Sequence, residues 1–215
     1  MPLLKKIEVE NGVLGIWGLK ESVESLISGF HFTENEQTEF EKFKFEKRQT
    51  EYLATRLLLQ NLLGEKAEII YQDSGRPLIK NSAKNISISH SSDLVVVFIS
   101  NKLTGVDAEK ANRNIDKVVK RFLHPIEIEW IEKSGNPQLL KILLWCAKEA
   151  IYKCACKTGI QFDTQIYISP FEYSKTNLFQ GKIIFQNQEK NYRMCFINCE
   201  NNIVVYCVEV ENESI

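Results

Sequence analysis

The sequence predicts an α+β fold of two similar lobes, each a set of antiparallel strands packed on one long helix. Three observations carry this reading. Each half holds one long stretch with helical apolar spacing, residues 34–63 and residues 138–157. Each half also holds several short strand-like runs bounded by turn residues. No low-complexity segment or long linker separates the halves, so the lobes are expected to pack tightly. The boundary is expected at residue 102, giving an N-terminal lobe of residues 1–101 and a C-terminal lobe of residues 102–215.

In chain order, residues 7–19 read as a strand, with Trp17 near its end. Phe40, Phe43, Tyr52, Leu53, Leu57 and Leu58 recur at helical spacing, and Gly64 is a natural stop. Residues 66–71 are a short strand, followed by the turn Asp73-Ser74-Gly75-Arg76-Pro77. Residues 86–99 read as two strands joined near Ser91–Asp93. The second lobe opens with the strand Leu103–Glu109. Helical stretches follow at 115–122, 125–134 and 138–157, then strands at 164–169, 182–187, 191–198 and 203–210.

The chain has 215 residues, 44% hydrophobic and 26% charged, an ordinary globular balance with enough length for a sizeable core. Its 27 basic and 28 acidic side chains give a formal charge of -1, without the basic excess of a sequence-independent nucleic-acid binder. The N-terminus is too charged for a secretory signal, and Leu94–Ile99 falls far short of the roughly 20 apolar residues of a membrane helix. We therefore expect a cytoplasmic protein with no nucleic-acid or membrane partner. Cys146, Cys154, Cys156, Cys195, Cys199 and Cys207 form no Cys-x-x-Cys pair and have no histidine near them. They read as reduced core thiols rather than a zinc site.

Two segments carry the chemistry. In Gly105-Val106-Asp107-Ala108-Glu109, strand alternation points Asp107 and Glu109 the same way and Val106 and Ala108 into the core. Two carboxylates side by side repel each other, an arrangement that suits a hard cation. An exposed edge strand with two solvated acids is the competing reading. In the helix around Trp145-Cys146-Ala147-Lys148-Glu149-Ala150-Ile151-Tyr152-Lys153, helical spacing puts Trp145, Lys148, Glu149 and Tyr152 on one face, with Lys153 beside it. Ala147, Ala150, Ile151 and Cys154 form the apolar stripe opposite. The competing reading here is surface pairing of Glu149 with Lys153.

Together, a Gly-Val-Asp-x-Glu strand and, about 40 residues on, a Trp-x-x-Lys-Glu-Ala-x-x-Lys helix resemble the 4'-phosphopantetheinyl transferase superfamily, in its larger, pseudo-dimeric kind. Gly75-Arg76-Pro77, Asn85 with Ile86-Ser87-Ile88-Ser89-His90-Ser91, and Arg121-Phe122-Leu123 with Glu127 and Glu129 resemble further family segments. The resemblance covers roughly residues 45 to 160. Ala108 stands for a more usual Ile or Val, and Ala150 for a frequent Ser; neither removes a carboxylate.

The resemblance implies transfer of 4'-phosphopantetheine from coenzyme A, the substrate, to a serine of an apo carrier protein, releasing adenosine 3',5'-bisphosphate. It implies one Mg2+, with Mn2+ as an alternative, on Asp107, Glu109 and Glu149. It gives Glu149 the serine proton, and Lys148 and Lys153 the phosphate charge. Ser89 and His90 would serve coenzyme A, with Arg76 near the nucleotide. Arg48 resembles the arginine that meets the 3'-phosphate, with Lys47 and Arg56 as alternatives. His31 and His124 match nothing and read as surface residues. The carrier is expected to dock near residues 115–134 on a monomer, whether it serves fatty-acid, polyketide or peptide synthesis. The rival readings are a non-catalytic coenzyme A or carrier-binding module of the same fold, and another magnesium-dependent phosphotransferase or a nuclease. The chain has no Gly-x-x-x-x-Gly-Lys-Ser/Thr loop to support a P-loop enzyme.

Overall fold

A computed structural model describes residues 3–210 as two antiparallel sheets between helices, the α+β architecture expected. The first sheet is built from β1 (Leu3–Val9), β2 (Gly12–Gly18), β3 (Ile69–Tyr71), β4 (Pro77–Ile79), β5 (Asn85–His90) and β6 (Leu94–Ser100). Its spatial order is β1-β2-β6-β5-β4-β3. Helices α1 (Val23–Ser28), α2 (Glu34–Phe40) and α3 (Glu46–Leu63) lie between β2 and β3 in the chain. The second sheet has β7 (Thr104–Lys110), β8 (Ile166–Ile168), β9 (Leu178–Phe185), β10 (Gln188–Cys199) and β11 (Asn202–Val210), in the order β7-β11-β10-β9-β8. A 3-10 turn (Asp116–Arg121), α4 (Pro125–Glu132), α5 (Pro137–Ala155) and α6 (Phe162–Gln165) follow β7. Among the described residues, no helix is long and apolar enough to cross a membrane.

Several boundaries differ from the sequence expectation. The first strand is a hairpin, because Glu10 and Asn11 turn the chain and Val9 pairs with Gly12. The helix expected over 34–63 is broken between α2 and α3. Phe40 and Phe43 both pack on Tyr52, at 5.8 Å and 5.3 Å between ring centroids, so one aromatic cluster serves two helices and mimics a continuous apolar stripe. The helix expected at 115–122 is a 3-10 turn, and the strand expected at 164–169 is confined to Ile166–Ile168, its first two residues ending the short helix Phe162–Gln165. Gly64 does end α3, in the left-handed conformation at φ 75°.

The layers run α3, first sheet, second sheet, α5. In β6, Val95, Val97 and Ile99 pack toward α3, while Leu94, Val96 and Phe98 pack toward the second sheet. Val106 and Ala108 of β7 join that sheet-on-sheet core with Val204 and Val208 of β11. The alternation expected for β7 therefore holds. Its opposite face, carrying Asp107, meets α5. Gly105 makes this contact close: a Cβ there would fall 1.8 Å from the carbonyl oxygen of Ala150. No side chain fits, so glycine sets the distance between β7 and α5. Gly105→Ala is expected to cost about 3 kcal/mol or more, the upper range of overpacking. Chemical denaturation checks this; a loss under about 0.5 kcal/mol would show that the contact is slack.

Candidate active site

β7 offers Asp107 and Glu109, and α5 offers Glu149 across the narrow gap set by Gly105. Asp107 is 7% exposed. Its Oδ1 accepts from Ser89 Oγ of β5 at 2.8 Å and from Lys153 Nζ of α5 at 2.9 Å. Its Oδ2 is buried with no N–H or O–H donor on it. Lys153 also donates to Val106 O at 3.0 Å and lies 3.2 Å from Ser89 Oγ, so one ammonium ties α5 to a strand of each sheet. Ser87 Oγ strengthens the same seam by accepting from Val106 N at 3.0 Å. Glu109 is ion-paired with Arg113, four residues on, whose guanidinium lies 5.9 Å from the Trp145 ring centroid.

The carboxylates feel one another. Burial, first of all, and then the Asp107 charge push the Glu149 pKa up to about 7; Lys153 pulls it back, and Glu109 adds to the rise. Burial likewise raises that of Glu109, against the pull of Arg113. As they stand, no three Asp, Glu, His or Cys side chains among the described residues are gathered into a metal site. The reason is visible: Glu109 is turned to Arg113, and Asp107 Oδ1 is taken by Lys153 and Ser89. The donor set nevertheless fits a hard divalent cation. It is all oxygen, one of its oxygens is buried with no N–H or O–H donor, and, after burial, the Asp107 charge raises the pKa of both Glu109 and Glu149.

Lys148 is not part of this cluster. Its side chain is fully buried and its ammonium sits 2.6 Å from Glu127 Oε2, donating also to Ile166 O at 2.7 Å and Phe162 O at 2.9 Å. Glu127 in turn accepts from Ile168 N and His124 N, each at 2.9 Å. The expectation that Lys148 faces phosphate is corrected: a deeply buried carboxylate on α4 draws it to the far side of α5. This network also recruits His124, expected on the surface, as the N-cap of α4. His31 is exposed as expected.

A pocket of about 350 Å³ adjoins Lys153. It is lined by Tyr71, Arg76, Pro77, Ile88, His90, Tyr152, Lys153 and Cys156, among others. Arg76 donates to Asn85 Oδ1 at 2.8 Å, which holds it at the pocket wall. His90 Nε2 lies 3.2 Å from Thr55 Oγ1, and loss of solvation lowers its pKa against the pull of Glu51, with Lys153 and Arg48 adding to the fall. Arg48 and Lys47 start α3 beside the same Glu51, at 2.8 Å and 3.9 Å. Arg56 is excluded as a phosphate ligand: it is 1% exposed, paired with Glu36 and Glu39 and stacked on Tyr52. Cys156 is exposed, unlike the other five thiols, because it caps α5 with φ 52°. Sequence reasoning missed Arg113 and Tyr71 and gave Tyr152 no role beyond its helix face; the i,i+4 spacing of Glu109 and Arg113 was a usable signal. A larger cleft, about 560 Å³, opens where the two sheets diverge and holds none of the expected site residues.

Residues 104–205 match the family model described as the 4'-phosphopantetheinyl transferase superfamily. Over 111 residues the chain is 31% identical to the 4'-phosphopantetheinyl transferase gsp of Aneurinibacillus migulanus. That stretch covers 50% of this chain and 46% of the relative, so the chain spans about half the length of the relative it matches.

Two outcomes are expected from this geometry. Lys148→Met leaves Glu127 charged and buried without a cation, and should cost about 3–5 kcal/mol in denaturant unfolding. Adding Glu127→Gln should recover part of that loss; no recovery would break the link between the two residues. The second concerns Glu149, which holds its proton more tightly folded than at its ordinary value of 4.5. Between about pH 4.5 and 7 the folded chain binds more protons than the unfolded one. Stability without divalent ions should therefore fall as pH rises through that window. Glu149→Gln should flatten the fall. Melting curves across the window decide it: parallel slopes in wild type and variant would reject the assignment.

Proposed function

We propose, from the premise that residues 104–205 belong to the 4'-phosphopantetheinyl transferase superfamily, that this protein is an enzyme that moves 4'-phosphopantetheine from coenzyme A to a carrier-protein serine. The observation that carries the proposal is the seam itself. Asp107, Glu109 and Glu149 stand beside a pocket of about 350 Å³ whose wall includes Arg76, His90 and Lys153. Asp107, Glu109 and Glu149 would hold Mg2+, or Mn2+. Such an ion, when bound, neutralises diphosphate charge during transfer.

The chain's own groups do the rest. The pocket receives the nucleotide, with Tyr71 and Tyr152 offering ring faces and Arg76 and His90 offering polar contacts. Arg48, with Lys47 beside it, would meet the 3'-phosphate. Ser89 keeps Asp107 in position through its hydroxyl. Lys153 supplies positive charge between the carboxylates and the pocket. The Glu149 carboxylate takes the proton from the carrier serine, directly or through water. The serine oxygen attacks the β-phosphorus, and the bond to the adenosine 3',5'-bisphosphate leaving group breaks. The carrier would approach over residues 115–134, where Ile126 is 66% exposed and Lys120 and Arg121 are exposed as well. One chain is enough for this site, consistent with a monomer. The lobe boundary at residue 102, with coenzyme A held mainly by the N-terminal part, belongs to the same proposal.

The test is intact-mass spectrometry on a panel of apo carriers from fatty-acid, polyketide and peptide synthesis, with coenzyme A and Mg2+. A carrier heavier by one phosphopantetheine group is expected. EDTA should stop the reaction, and Mg2+ or Mn2+ in excess should restore it. Asp107→Ala should lower turnover about a hundredfold or more while the fold is kept. Wild-type turnover in that variant would end the metal assignment. An unmodified panel, with coenzyme A still bound, would favour a non-catalytic binding module.

A further inference from the structure

Each carboxylate of β7 already carries a cation belonging to the protein. Lys153 Nζ lies 2.9 Å from Asp107 Oδ1, and the Arg113 guanidinium is ion-paired with Glu109. Both cations remain partly open to solvent. The Arg113 side chain is 47% exposed and the Lys153 side chain 31%, in contrast to Lys148, which is sealed at 0%. A divalent ion entering alone meets two resident positive charges and must take oxygens from them. A diphosphate arriving with the ion offers those same cations new oxygens, in geometry that suits a planar guanidinium well.

We propose that Arg113 and Lys153 are resident counter-cations of the ion site, and that their transfer from carboxylate to diphosphate makes binding of the divalent ion and of coenzyme A mutually dependent. This rests on the magnesium reading given above. It assigns Arg113, which no sequence motif marks, as a diphosphate-binding residue. Linkage makes the effect reciprocal: whatever factor coenzyme A adds to ion affinity, the ion adds to coenzyme A affinity. Removing one resident cation should therefore strengthen binding of the ion alone and shrink the gain produced by coenzyme A. A residue that only held the fold together would move neither in that direction.

The experiment is titration of Mn2+ into the full chain, followed by electron paramagnetic resonance, with and without coenzyme A. Wild type, Arg113→Gln and Lys66→Gln are compared; Lys66 is exposed, and its replacement removes an equal charge away from the carboxylates. Wild type should bind Mn2+ more tightly when coenzyme A is present. Arg113→Gln should bind Mn2+ alone about fivefold more tightly than wild type, the upper end of what a partly exposed ion pair is worth. Its gain from coenzyme A should fall by at least the same factor, and Lys66→Gln should match wild type. Unchanged or weaker Mn2+ binding by Arg113→Gln, with wild type still showing the coenzyme A gain, overturns this inference and leaves the metal reading standing. No Mn2+ binding by wild type in either state overturns both.

Discussion

The contact between β7 and α5 is the constraint on which the site depends. Gly105 leaves no room for a side chain between the strand and the Ala150 carbonyl. That distance brings a helix carboxylate, Glu149, up to two strand carboxylates that share a face. A wider gap would let water screen the three charges from one another, and nothing would single the group out from ordinary surface acids. The glycine of the Gly-Val-Asp-Ala-Glu segment thus acts through packing, and the closeness of the carboxylates depends on it.

Burying acids at such a contact is costly, and the fold answers the cost differently at two depths. On the inner side of α5, Lys148 and Glu127 are sealed together with backbone partners on every side, which fastens α4 and β8 to the helix. On the outer side, Lys153 and Arg113 answer Asp107 and Glu109 while remaining partly open to solvent. The first pair is fixed because its ions have no other place to go. The second set is exchangeable, because water and incoming anions can reach it. Adjacent residues on one helix, Lys148 and Glu149, therefore meet opposite surroundings, one sealed on Glu127 and the other beside the β7 carboxylates.

Much of this was legible in the sequence, and the misses have physical causes. Strand alternation placed Asp107, Glu109, Val106 and Ala108 correctly, because a period of two leaves no other choice once one residue is buried. Helical spacing was less decisive. Lys148 lies 100° from its neighbour Glu149 on an ideal helix and was read with the polar face; only the distant Glu127, which no local pattern announces, shows that it turns inward. Arg56 went the same way, its polar head buried by Glu36 and Glu39 from a different helix. Phe40 and Phe43 imitated a single helix because their shared partner, Tyr52, lies beyond the break. In each case a long-range partner overrode a local signal.

The position of the site at the seam between sheets has a further consequence. Ser87 and Ser89 belong to β5 of the first sheet, yet they bond Val106 N and Asp107 of the second. Lys153 reaches Ser89, Val106 O and Asp107 together. The apolar packing of Leu94, Val96 and Phe98 against Val106, Ala108 and Val204 fixes how the sheets meet, and these polar links read out that alignment at the carboxylates. A change in the seam that spared every site residue would still move Asp107 relative to the pocket wall. The sheet-on-sheet core is thereby part of the geometry of the carboxylate cluster as well as of its stability, since side chains from both sheets build that cluster.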